Sequence, residues 1–135
     1  MLLQYKRKCG MNGTDCIADT NALIYLLSGD PCMRPYLSKR IGLSVISEME
    51  LLSFPEITAS EEQRVRLLIN DCTVLFLTEN IKNKAVILRR TYKIKLPDAI
   101  IAATAIENNL QLVTADREFN QITELDLIPI KPALS

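Results

Sequence analysis

The stretch LPDAIIAATAIENNLQLVTAD, residues 96–116, decides the fold. It predicts one helix with an acid in its first turn, a tight reversal, and a short buried strand ending in a second acid. Pro97 suits the start of a helix, where its missing N–H costs nothing. Asp98 beside it lies near the positive end of the helix dipole. Ala99, Ala102, Ala103 and Ala105 make the helix thin enough to lie close against a sheet. Asn108 or Asn109 can take the left-handed conformation that ends a helix. Leu110, Leu112 and Val113 then read as a buried strand, with Asp116 just past its end. If the strand returns to the edge where the helix began, the two acids meet.

Working outward, the rest of the chain repeats this alternation. Cys16-Ile17-Ala18 reads as a short buried strand ended by Asp19-Thr20-Asn21, with an apolar helix from Ala22 to Leu27 behind it. Residues 32–40 read as a short helix or loop. Leu43 to Ile46 is a second strand candidate, and Ser47-Glu48-Met49-Glu50 matches a capping box opening a helix that Pro55 cuts short. Thr58 to Glu61 repeats that capping pattern ahead of an amphipathic helix. Cys72 to Leu77 is rich in β-branched and aromatic residues and predicts a third strand. Thr78 or Asn80 caps a helix near residues 80–92, and Leu127 to Ile130 predicts an edge strand beside prolines. Strands alternating with helices imply an α/β domain with a mainly parallel sheet covered on both faces. The helices near 80–92 and 97–108 follow one another with no strand between, and the sequence does not route that link. The expected organisation is an N-terminal extension over residues 1–13 and a single domain over residues 14–135.

Composition narrows the chemistry. The chain has 135 residues, 48% hydrophobic and 24% charged, as a folded globular domain does. Lys plus Arg and Asp plus Glu both number 16, so net charge selects no polyanion. No apolar run approaches a membrane span and no signal-peptide pattern opens the chain, so a cytoplasmic protein with no membrane contact is expected. The four cysteines lack C-x-x-C spacing, which argues for thiols rather than a zinc site, with Cys16 and Cys72 in apolar strands. There is no histidine. Ser-His-Asp, Cys-His and His-ligated zinc hydrolysis are therefore excluded.

In a parallel sheet, function gathers at the carboxyl ends of the strands, where the connections diverge. Four acids map to that edge: Asp19 after the first strand, Glu50 in the helix after the second, Asp98, and Asp116. Each has a bland role as a cap or turn residue. Together they would repel and take up protons unless a cation were bound. An all-oxygen site suits Mg²⁺ or Mn²⁺, which polarises a phosphoryl oxygen and lowers the pKa of bound water. Metal-assisted phosphodiester hydrolysis is the reaction that needs these parts and no histidine. Arg89, Arg90, Lys93 and Lys95 around Tyr92, together with Arg117, are candidates to hold the phosphates of such a substrate.

Three segments, IADTNALIYLL, LSVISEMELLSF and LPDAIIAATAIENNLQLVTADREF, together with Ile128-Pro129, resemble the PIN-domain family and within it the VapC-type toxin ribonucleases. The resemblance runs over about residues 14–132. It implies that the Asp of the D-T/S-N/S motif, the Glu of the E-L-L segment, and the Asp residues of P-D-A-x-I-A-A and T-x-D form a metal site. Those positions are Asp19, Glu50, Asp98 and Asp116, with Glu48 a rival for the second. Asn21 and Thr114 match the motifs' polar supporting positions, and Asn109 stands where the family often has Gly. The resemblance further implies a three-layer α/β/α sandwich, an endoribonuclease using Mg²⁺ or Mn²⁺, a homodimer, and inhibition by a cognate antitoxin. The rival from another class is an inert PIN-like scaffold that only binds RNA or protein, for which loss of an acid would be expected. A receiver domain would need an acid after the third strand, where Thr78-Glu79 fits poorly. A haloacid-dehalogenase-like phosphatase would need D-x-D, and position 21 is Asn.

Overall fold

The structure, a computed structural model, describes residues 13–133. Apart from Gly13, the expected N-terminal extension lies outside the described residues. Among these, five strands form one sheet: β1 (Cys16–Ala18), β2 (Ile41–Ser44), β3 (Thr73–Leu75), β4 (Gln111–Thr114) and β5 (Leu127–Pro129). Their spatial order is β3-β2-β1-β4-β5 and every pairing is parallel. The helices are α1 (Thr20–Ser28), α2 (Val45–Leu52), α3 (Ala59–Asp71), α4 (Glu79–Thr91) and α5 (Leu96–Glu107). Short 3-10 turns at Pro31–Tyr36 and Arg117–Gln121 complete the chain path.

Alternation along the strands builds two cores. Ile17 and Leu112 point to one face, where Ile81, Ala85 and Leu88 of α4 and the alanines of α5 cover them. Cys16, Ala18, Leu43 and Val113 point to the other, against Ala22 and Leu23 of α1 and Val65 and Ile69 of α3. A sheet buried on both faces between helical layers is the α/β/α sandwich. From Ala99 to Ala105 every residue of α5 is buried. Its small side chains let it approach both the sheet and α4.

The unrouted link is a short one. Residues 92–95 join α4 to α5 directly, and Arg89 Nη1 donates to Ile94 O across them at 2.8 Å. The crossover from β3 to β4 thus carries two helices and lands on the far side of β1. The connections from β1 to β2 and from β3 to β4 leave the centre in opposite senses, placing the switch point between β1 and β4.

Three expectations shift. The second strand is Ile41–Ser44, not Leu43 to Ile46, and Ser44 serves both as its last residue and as the N-cap of α2, accepting from Ile46 N at 3.1 Å. Gly42 lies inside the strand, where a Cβ would meet Thr14 Cγ2 at 2.9 Å and only glycine fits without a shift. Ser47 therefore lies inside α2 and opens no capping box. The third strand shrinks to Thr73–Leu75 because the short β2 offers partners to those residues only. Cys72 is the C-cap of α3 rather than a strand residue, and Phe76 and Leu77 are exposed beyond the pairing.

The remaining signals act as expected. Thr58 and Glu61 exchange the two hydrogen bonds of a capping box. Thr78 caps α4. Asn109 takes the left-handed conformation, φ 54°, while Leu110 N donates to Ala105 O and Asn109 N to Ile106 O, a Schellman ending for α5.

Candidate active site

Asp19 leaves β1 as the N-cap of α1, so its carboxylate turns back over the sheet edge. Oδ1 accepts from Ala22 N at 2.8 Å and Oδ2 accepts from Thr114 Oγ1. The side chain is buried. Thr114 ends β4 beside it, and the same Oγ1 accepts from Asp116 N at 2.9 Å. One hydroxyl thereby ties the acid after β1 to the backbone of the acid after β4. Asp116 in turn caps the 3-10 turn, Oδ1 accepting from Glu118 N at 2.9 Å.

Asp98 enters from the first turn of α5. Asp98, Asp116 and Glu118 each offer a carboxylate oxygen within 4.8 Å of the others. The two acids at the ends of the helix–turn–strand excursion do meet. Glu50 comes from the far wall, in the last turns of α2, and is exposed. Thr20 Oγ1 stands 2.5 Å from Glu50 Oε1 and 2.9 Å from Ser47 Oγ. Thr20 has one hydroxyl proton, and an ionised carboxylate can only accept. The proton goes to Glu50, and the buried Ser47 hydroxyl completes the chain.

Asp19, Glu50, Asp98 and Asp116 all line one cleft of about 460 Å³, with Thr20, Asn21, Ile24, Ser53, Phe54, Lys95, Pro97 and Ile101. Burial first, then the charges of Asp116, Asp19, Glu50 and Glu118, pushes the Asp98 carboxyl up from its ordinary range to about 6. Burial also raises Asp19, against the hydrogen bonds from Thr114 and Ala22, and the charges of Asp116 and Glu50 add to the rise. Acids held this close need protons or a cation. The donor set is all oxygen, which fits a hard divalent ion such as Mg²⁺ or Mn²⁺.

Of the supporting positions, Thr114 is central to the site, and Asn21 lines the cleft from an exposed position. Glu48 does not line it. Sequence reasoning missed three residues. Thr20 and Ser47 were hidden because their meeting depends on how α1 packs on α2. Glu118 was hidden because a 3-10 turn has no long periodicity; the D-x-E spacing from Asp116 was its one weak signal. Among the basic candidates, Lys95 lines the cleft. Arg89 donates to Ile94 O, and Arg89, Arg90, Lys93 and Arg117 are exposed outside the lining.

A PIN-domain family model matches residues 16–125, a span that contains every acid just described. The chain belongs to the PIN-domain family. Its PIN fold superposes with TM-score 0.72 on a toxin–antitoxin complex from Klebsiella pneumoniae, 32% identical, over 84% of this chain and 96% of that one. VapBC-1 from nontypeable Haemophilus influenzae gives TM-score 0.74 at 27% identity, over 86% and 98%. VapBC2 from Rickettsia felis, bound to a DNA fragment from its promoter, gives 0.75 at 17% identity, over 87% and 100%, and shows the fold alone. No curated protein matches the chain in sequence. Among the described residues, no helix is long and apolar enough to cross a membrane.

Proposed function

We propose that this PIN-domain protein is a metal-dependent endoribonuclease, the toxin of a VapBC-type pair, hydrolysing RNA phosphodiester bonds. The observation that carries the reading is the convergence of Asp19, Glu50, Asp98 and Asp116 from four separate segments into one cleft at the switch point. Its likeness to a Klebsiella toxin–antitoxin complex at 32% identity supports a cognate antitoxin as partner. A homodimer is part of the same reading.

Asp19, Asp98 and Asp116 would hold Mg²⁺ or Mn²⁺, with Glu118 a further donor and Glu50 a ligand or water-orienting base. The ion supplies Lewis-acid polarisation of the phosphoryl oxygen and a more acidic water. The chain supplies the rest. Thr114 fixes Asp19 and Asp116 relative to each other before substrate arrives, so little reorganisation is left to the reaction. Thr20 holds Glu50 by Oε1 at the cleft wall, where the carboxylate can take a proton from an attacking water. Lys95 brings a positive charge to the same cleft for the RNA backbone.

Purified protein should cleave RNA with Mg²⁺ or Mn²⁺ and stop with chelator. Asp98→Asn should lose at least about 10²–10³-fold in rate, the scale for removing one preorganised polar group, with folding verified by circular dichroism. Activity surviving both chelator and substitution would refute the mechanism. An intact fold that binds RNA without cutting it under any divalent ion would favour the inert scaffold.

A further inference from the structure

Among the described residues, one aromatic ring borders the acid cleft. Phe54 is 48% exposed, although a phenyl ring gains by burial, and it lines both the acid cleft and an adjoining apolar groove with Ile24, Leu51 and Val65. Phe119, by contrast, is buried, and Phe76 lies beyond β3.

The local backbone holds Phe54 in that position. α2 ends at Leu52, where Ser53 N donates to Glu50 O at 3.2 Å and Ser53 Oγ to Met49 O at 2.5 Å. Phe54-Pro55-Glu56-Ile57 then closes a β-turn, Ile57 N donating to Phe54 O at 3.3 Å. Glu56 sits at φ 64° without being glycine, the third position of a type II pattern that Pro55 favours. A strained residue kept beside a site is a cue to function. Here it shapes the turn that carries Phe54, four residues from Glu50, so ring and acid ride on one short piece of chain.

Resting on the ribonuclease reading, we propose that Phe54 is the stacking platform for an unpaired base next to the scissile phosphate. A phenyl face accepts any base but only one that is unstacked from a duplex. The division of labour follows from the cleft: carboxylates and their ion on the phosphate, Lys95 on the backbone, Phe54 on the base. Asn21, also in the lining, adds a polar group to the same cleft.

The test compares wild type with Phe54→Ala, Phe54→Leu and Phe54→Trp on one single-stranded oligoribonucleotide, intact or with single abasic positions. Binding is read by fluorescence anisotropy in Ca²⁺, which takes the same oxygen donors, and cleavage by KM and kcat in Mg²⁺ or Mn²⁺. Phe54→Ala and Phe54→Leu should weaken binding and raise KM about tenfold, with kcat less affected, and Phe54→Trp should restore both. One abasic position should weaken wild type and leave Phe54→Ala unchanged. Leucine performing as well as phenylalanine would overturn the proposal, since apolar packing alone would suffice. So would Phe54→Ala that binds RNA normally but no longer captures a purified antitoxin, which would assign the ring to a protein interface. Failure of wild type to cleave with either ion removes the ribonuclease reading, while the anisotropy comparison still judges Phe54 by itself.

Discussion

The two walls of the cleft are built on different principles. On the β1/β4 wall, Asp19 is buried, and its two oxygens are taken by Ala22 N and the Thr114 hydroxyl, which also receives Asp116 N. On the α2 wall, Glu50 is exposed and held through Thr20, itself backed by Ser47. The first wall is part of the protein core, and its acids cannot move without disturbing the sheet. The second is an exposed side chain steadied by hydroxyls. A fixed pair of carboxylates suits holding an ion; an accessible carboxylate suits meeting water and substrate.

Removing the central hydroxyl from each wall should separate them. Thr114→Val keeps the shape but leaves the buried Asp19 oxygen without its donor and frees the Asp116 backbone. A loss of about 1–3 kcal/mol in unfolding free energy is expected, read by urea denaturation, together with a large loss of cleavage. Thr20→Val removes a partly exposed bond. It should cost no more than about 0.5–1.5 kcal/mol, and its mark should be a lower kcat with the fold kept as Glu50 loses its donor. Equal destabilisation by the two changes would erase the distinction between the walls.

How much of this was legible beforehand follows the same line. The β1/β4 wall is built from local signals: an acid after a short apolar strand, an acid in a helix first turn, an asparagine at a helix end. Each is set by its neighbours in sequence, and Asp19, Asp98, Asn109 and Asp116 all stand where those signals put them. The α2 wall is not local. Ser47-Glu48-Met49-Glu50 has capping-box spacing, yet Ser44 caps the helix because β2 runs straight into it with no loop. Val45 and Ile46, β-branched and strand-like, fall in the first turn instead. Glu50 remained identifiable as an acid at this edge, but its support from Thr20 and Ser47 arises from helix packing across 27 to 30 residues. The basic run around Tyr92 divides for a related reason: Lys95 lines the cleft, whereas Arg89 braces the link between α4 and α5, and that link had no counterpart in strand–helix alternation.

The crowded acids also set a pH dependence. Asp98 has its folded-state pKa raised to about 6, chiefly by burial, and Asp19 is raised for the same leading reason. The folded state therefore holds more protons than the unfolded chain between about pH 4 and pH 6. Without divalent ion, the stability these groups contribute should be full below that window and lost as pH rises through about 6. Asp15 and Glu61, whose pKa values are lowered by hydrogen bonds, act in the opposite sense, at the acid end. Thermal melts in chelator should show a falling Tm from about pH 4 to about pH 7, shallower in Asp98→Asn. Mg²⁺ or Mn²⁺ should restore Tm most at the upper end, because the ion competes with the proton for the same oxygens. A Tm that rises across the same window in chelator would mean that the acids are not crowded in solution.

The smallest expected effect concerns the strained turn beside Glu50. Glu56 at φ 64° and Asn109 at φ 54° are the non-glycine residues with positive φ among those described. Asparagine tolerates that region through its short polar side chain, whereas glutamate does not. Glu56→Gly should therefore stabilise by up to about 1 kcal/mol, and Asn109→Gly by distinctly less. The glycine also loosens the hold on Phe54. Stability and RNA affinity should then move in opposite directions at residue 56, while at residue 109, on the α5–β4 reversal, any gain in stability should leave affinity unchanged. Denaturant midpoints and anisotropy on the same samples read both quantities. If affinity holds in Glu56→Gly while stability rises, the strain serves no purpose at the cleft and the α2 wall is steadied by its hydroxyls alone.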